Sequence, residues 1–191
     1  AVENLVLTDS GAATINMVDV SGLTSITSQT STTAPTINNL QSVGSLTLNN
    51  TTVGATLNHT AAATVGASDS ATLNLEGVTG AGGSAIIYSA TTNSIESLNI
   101  ASTISANTIN DLQTTGAGVS TLGITGDQNL TISTALDAEV TTVSAGAFTG
   151  NLTIAVGGGG VAVTSGSGVD DITMGAGADT ISAGAGSDTI R

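Results

Sequence analysis

The chain repeats itself, and this constrains its fold more than any other feature. Short runs alternate a branched apolar residue with Thr, Asn or Gly. They include Leu5-Val6-Leu7-Thr8, Leu46-Thr47-Leu48-Asn49, Thr72-Leu73-Asn74-Leu75, Ser97-Leu98-Asn99-Ile100, Leu122-Gly123-Ile124-Thr125 and Leu152-Thr153-Ile154-Ala155. A period of two places one set of side chains on each face of an extended segment, the pattern of a half-buried strand. A longer echo joins the runs. Thr14-Ile15-Asn16, Thr36-Ile37-Asn38 and Thr108-Ile109-Asn110 each stand a few residues before another such run. Ile15 to Ile37 is one step of 22 residues, and Ile37 to Ile109 equals three steps of 24. Units of this length that cannot bury an apolar face alone do so by stacking. The expectation is an all-β parallel solenoid with degenerate coils of about 20–24 residues.

Little in the chain favours helix. Thr, Ser, Gly, Asn and Val dominate, and no apolar stripe of period 3.6 runs beyond two turns. The chain has 1 Tyr, 1 Phe and no Trp. A globular core of this size relies on bulky rings, whereas a thin stack of coils is filled by Val, Ile, Leu, Ala and Thr. Asn16, Asn38 and Asn110, and Asn74 with Asn99, fall at matching places in the echo. They either stack as ladders between coils or serve as ordinary turn residues.

From Gly166 the loose repeat gives way to a regular one of nine residues. Its units are Gly166-Ser167-Gly168-Val169-Asp170-Asp171-Ile172-Thr173-Met174, Gly175-Ala176-Gly177-Ala178-Asp179-Thr180-Ile181-Ser182-Ala183 and Gly184-Ala185-Gly186-Ser187-Asp188-Thr189-Ile190-Arg191. Glycine lets a turn adopt φ > 0 and bring carbonyl oxygens inward, Asp supplies a hard anionic oxygen, and Ile fills the core of the short strand that follows. A set of oxygen donors favours Ca²⁺ over zinc or copper.

These units resemble the RTX nonapeptide G-G-x-G-x-D-x-U-x, a calcium-binding signature. In the RTX β-roll two nonapeptides make one coil, so turns 18 residues apart lie on the same side and share an ion. The resemblance implies a site at Asp170 and Asp188, completed by backbone carbonyls around Gly166 and Gly168 and around Ala183 and Ala185. Asp179, with Gly175 and Gly177, takes the matching place on the opposite side. This sequence departs from the pattern where Ser165, Met174 and Ala183 replace the first glycine of each unit. The preceding unit, from Gly157 to Val163, carries Val161 where the Asp belongs, which leaves Asp179 without a carboxylate partner below it. Asp171 is expected to be a solvated neighbour of the site, and Gly66 to Asp69 and Gly126-Asp127 to be ordinary turns. Two segments follow: residues 1–156, a Thr- and Asn-rich solenoid, and residues 157–191, a Gly- and Asp-rich RTX β-roll. The unclosed last unit makes the chain read as a piece of a longer one.

Charge narrows the function. Fourteen acidic residues against one basic residue, Arg191, give a net charge of −13. Such a chain cannot neutralise phosphates, which argues against nucleic acid and anionic membrane surfaces as partners. No apolar run approaches the length that spans a bilayer, so membrane insertion is not expected. The chain is not an acidic disordered tail either, because 39% of it is hydrophobic and only 8% is charged. With no Cys and one His, His59, it offers no thiolate site and no imidazole cluster. A polysaccharide lyase or epimerase on a β-helix needs a base together with cationic or aromatic groups for an acidic sugar chain. One His, one Tyr and no Lys argue against that, and no enzyme activity is expected.

A Thr-, Ser-, Ala- and Gly-rich solenoid with almost no Lys or Arg, no Cys and terminal RTX repeats resembles the C-terminal region of type I-secreted bacterial surface-layer (S-layer) proteins. Over the first 160 residues the likeness is one of composition and strand style. It implies an extracellular structural tile that self-associates into a calcium-dependent two-dimensional lattice on the cell surface, with cell-surface polysaccharide as a partner for other parts of the chain. An RTX adhesin or biofilm-matrix protein would share these features.

Overall fold

The computed structural model describes residues 2–9, 11–80, 83–114 and 118–191. Among the described residues there is no helix. The chain is an all-β solenoid of parallel strands in three sheets. The largest sheet holds, in stacking order, β1 (Asn4–Thr8), β3 (Ser25–Gln29), β5 (Ser45–Asn49), β7 (Ser70–Glu76), β9 (Ser97–Thr103), β12 (Thr121–Gly126), β14 (Thr142–Ser144), β16 (Ala162–Thr164) and β18 (Thr180–Ser182). A second sheet is built from β2 (Thr14–Asn16), β4 (Thr36–Leu40), β6 (Ala55–His59), β8 (Ile86–Ala90) and β11 (Leu112–Gln113). The third contains β10 (Asn107–Ile109), β13 (Leu130–Ile132), β15 (Leu152–Ala155), β17 (Asp171–Thr173) and β19 (Thr189–Ile190).

The alternation in the sequence decides which face is buried. In β5, Leu46 and Leu48 point inward and are buried, while Ser45, Thr47 and Asn49 face outward. The same parity holds in β7, where Ala71, Leu73 and Leu75 are buried, and in β9, where Leu98 and Ile100 are. Register pairing stacks these positions, so Leu5, Ile26, Leu46, Leu73, Ile100 and Ile124 form one apolar column through six coils. Each such side chain contributes about 1.5–3 kcal/mol through burial.

The coil length is less uniform than the sequence implies. Residues stacked in the largest sheet are 21 and then 20 apart at the start, 27 apart from Thr47 to Asn74, 24 apart from Glu96 to Ser120 and 18 apart at the end. The long steps lie outside the expected 20–24 because the connections after β6 and between β7 and β8 bulge out as loops.

The echo at Thr108-Ile109-Asn110 also proves to be out of register. Ile15 and Ile37 do pair, in the second sheet, but Ile109 belongs to the third and pairs with Ile132. Ladders of Asn therefore form only in part. Asn39 Nδ2 donates to Asn16 Oδ1 at 2.8 Å, and Asn58 Nδ2 to Asn38 Oδ1 at 2.6 Å. Asn110 instead donates its backbone N–H to the Ser84 hydroxyl. Asn74 and Asn99 do not stack on each other: their amides reach the hydroxyls of Thr47 and Ser70.

A column of left-handed residues turns the chain at the end of each early strand of the largest sheet. Asp9, Thr30, Asn50, Gly77 and Ile104 have φ of 49°, 51°, 46°, 78° and 71°. Their stacking is held by backbone bonds such as Asp9 N–H to Gln29 O and Thr30 N–H to Asn49 O. Asp, Asn and Gly adopt this conformation readily, whereas β-branched Thr30 and Ile104 adopt it at a cost in strain.

Candidate metal centre

The three nonapeptide turns lie on alternate sides of the narrowest coils. Asp171 pairs with Thr153 below and Thr189 above, which brings the turns before Leu152, Asp171 and Thr189 into one stack. Ala162 pairs with Thr180, which places Asp179 over Val161 on the other side. The largest and third sheets run through residues 156 and 157 in continuous register.

Glycine makes this stacking possible. A Cβ on Gly184, at φ 78°, would stand 1.9 Å from the Gly166 carbonyl oxygen, and one on Gly186, at φ 132°, would stand 1.9 Å from that of Gly168. Any side chain at these positions would separate the turns.

Each repeat Asp holds the coil below it. Asp170 Oδ1 accepts the Leu152 N–H at 2.9 Å, Asp179 Oδ1 accepts the Val161 N–H at 2.9 Å, and Asp188 Oδ1 accepts the Asp170 N–H at 3.0 Å. All three contacts span 18 residues. The two carboxylates read as a shared site, Asp170 and Asp188, are thus brought together one coil apart. Asp179 stands apart from them, over Val161.

Asp170 is the most buried of the three, at 1% exposure, and its Oδ2 is shielded from water and has no hydrogen-bond partner. Burying a carboxylate oxygen with one side unsatisfied is expensive, and a cation beside it removes that cost. Oxygen-only surroundings suit Ca²⁺, which takes six to eight such ligands. The residues present therefore fit a calcium ion. Among the described residues no three His, Cys, Asp or Glu side chains converge, so most of the donors would be backbone carbonyls.

Those carbonyls divide into two groups. Gly166 O accepts the Ala185 N–H at 3.0 Å, and Ala183 O accepts the Ser165 hydroxyl at 2.5 Å. Ser165, where the repeat pattern has glycine, thus ties its own carbonyl partner to the coil above. Gly168 O lies directly under Gly186. On the opposite side Ala176 O, between Gly175 and Gly177, accepts the Gly159 N–H at 2.7 Å. Asp171 is not simply solvated: its Oδ1 accepts from Arg191, a largely exposed pair of little energetic weight.

Sequence reasoning missed the asparagines that continue this stack downward. Val169 donates its N–H to Asn151 Oδ1 at 2.9 Å, and Asn151 donates its own to Asn129 Oδ1 at 2.9 Å. At the base stands Asn107, 1% exposed. Its Oδ1 accepts the Val78 N–H at 2.8 Å, and its Nδ2 lies 3.1 Å from Leu75 O and 2.8 Å from both Ser102 Oγ and Ser105 O. The signal was available, since Asn107, Asn129 and Asn151 follow one another at intervals of 22.

Comparison with known proteins finds no matching family, no matching curated protein and no matching solved structure.

Proposed function

We propose that this chain is a non-catalytic structural tile of a bacterial S-layer, exported to the cell surface, whose C-terminal turns bind calcium and whose copies associate into a two-dimensional lattice. The observation that carries the reading is the buried Asp170 carboxylate, with one oxygen on the coil below and the other without a partner, inside turns that repeat every 18 residues. Asp170 and Asp188 would hold one ion, with carbonyls at Gly166, Gly168, Ala183 and Ala185. Asp179 would serve the opposite turn with Gly175 and Gly177. Bound calcium supplies positive charge where carboxylates crowd, and fixes glycine-rich turns that otherwise lose much entropy on ordering. A stack of parallel strands presenting long, repetitive faces supports a building element. Electron microscopy of the parent protein with and without calcium tests the proposal. Ordered sheets that vanish on chelation and return with calcium are expected; assembly indifferent to calcium would overturn it.

A further inference from the structure

Self-association of a chain carrying −13 needs a surface where like charges do not meet. All of its acidic residues except Glu76 and Asp171 lie outside the strands, in turns and loops. The outward face of the nine-stranded sheet is therefore almost free of ionisable groups. One outward column runs Val6, Thr27, Thr47, Asn74, Ala101 and Thr125, and its neighbours are Ser, Thr, Asn and Gly. The single carboxylate on this face, Glu76, accepts from Asn49 Nδ2 at 2.5 Å. Acidic residues border the face at the strand ends, as Glu3, Asp9, Asp69 and Glu96 do.

The geometry points to this face as the surface through which two copies of the chain meet, back to back. The inference rests on the self-assembling reading above and names the partner and the patch. Nine strands at about 4.8 Å spacing make a face roughly 40 Å long and 15 Å wide, or about 600 Å² per copy. Two such faces bury about 1,200 Å², the lower bound of specific interfaces. The outward face of the second sheet is also uncharged but has five strands, so it offers about half that area and falls short. A neutral centre with an acidic rim is the arrangement in which repulsion, screened over about 8 Å, is weakest at contact.

The middle strand tests this directly. β9 is fifth of nine, and in a two-fold face-to-face pair a residue at the centre meets its own copy. The chain has no cysteine. Ala101→Cys is expected to yield a disulfide-linked dimer under mild oxidation, whereas Thr56→Cys, on the outward face of the second sheet, is not. Thr47→Glu with Thr125→Glu is expected to weaken association measured by sedimentation roughly tenfold or more, with circular dichroism and melting temperature unchanged. Persistent association in the doubly charged variant, or cross-linking of Thr56→Cys equal to that of Ala101→Cys, would overturn the assignment of this face and leave the tile reading standing. A parent chain that stays monomeric at every calcium concentration would overturn both.

Discussion

Asp170 gives its backbone N–H to Asp188 Oδ1 at 3.0 Å, while its own Oδ1 takes the N–H of Leu152 at 2.9 Å, so one residue serves as donor to the coil above and acceptor from the coil below. The repeat Asp therefore has two jobs, tying coils together and presenting a second oxygen to an ion. Substitution separates them. Asp170→Ala should abolish the calcium heat at this site in calorimetric titration. It should also cost about 1–3 kcal/mol in denaturant unfolding without calcium, because the Leu152 N–H is left unpaired. Unchanged calcium affinity would remove Asp170 from the site.

The corner at Ile104 predicts a gain. This β-branched side chain sits at φ 71° with 76% of its surface exposed, so it carries backbone strain with little burial in return. Asn occupies the equivalent corner at Asn50 with φ 46°. Ile104→Asn should raise stability by about 1 kcal/mol, read as an increase in melting temperature.

Glycine substitutions should divide by stacking. Gly184→Ala meets the Gly166 carbonyl and also needs a left-handed backbone, so it should destabilise by about 2 kcal/mol or more and weaken calcium binding. Gly158 has open space around its missing Cβ, and Gly158→Ala should leave both properties nearly unchanged.

Acid should weaken the fold through His59. Its ring is 5% exposed and lies parallel to that of Tyr88, with centroids 6.4 Å apart. Burial holds its pKa below the ordinary 6.5, against a smaller opposing effect of the hydrogen bond to Ser89 O. The unfolded chain then takes up the proton first as pH falls through 6.5, and stability declines from there until the folded state also protonates. Urea unfolding between pH 7.5 and 5.5 should show a steeper loss in the parent chain than in His59→Gln.

Asn107 predicts the largest loss outside the apolar core. Asn107→Ala leaves the Val78 N–H and several buried carbonyls unpaired at the base of the third sheet, and should cost about 2–3 kcal/mol, measured by denaturant unfolding.

Much of this architecture was legible in the sequence because alternation alone decides which side chains face inward. Leu46 and Leu48 could be assigned to the core, and Thr47 to the surface, without a structure. Ile15 and Ile37 pair at the step of the echo. The third sheet was not legible, because Thr108-Ile109-Asn110 alternates just as Thr36-Ile37-Asn38 does and nothing local distinguishes their sheets. The approach of Asp170 to Asp188 followed from their spacing. The burial of Asp170 Oδ2 and the role of Ser165 did not, since both depend on how the coils above and below close over the turn.

The coil that begins at Ser97 differs from its neighbours in supplying a strand to each of the three sheets, β9, β10 and β11, before β12 starts the next. Every coil before it uses the first and second sheets, and every coil after it the first and third. It is an adapter between two prisms of different cross-section. Whole coils on either side are interchangeable parts, and their number can change without altering which faces the molecule presents. The adapter has no substitute: without it β8 and β13 would have no sheet in common, and the two prisms could not be joined end to end.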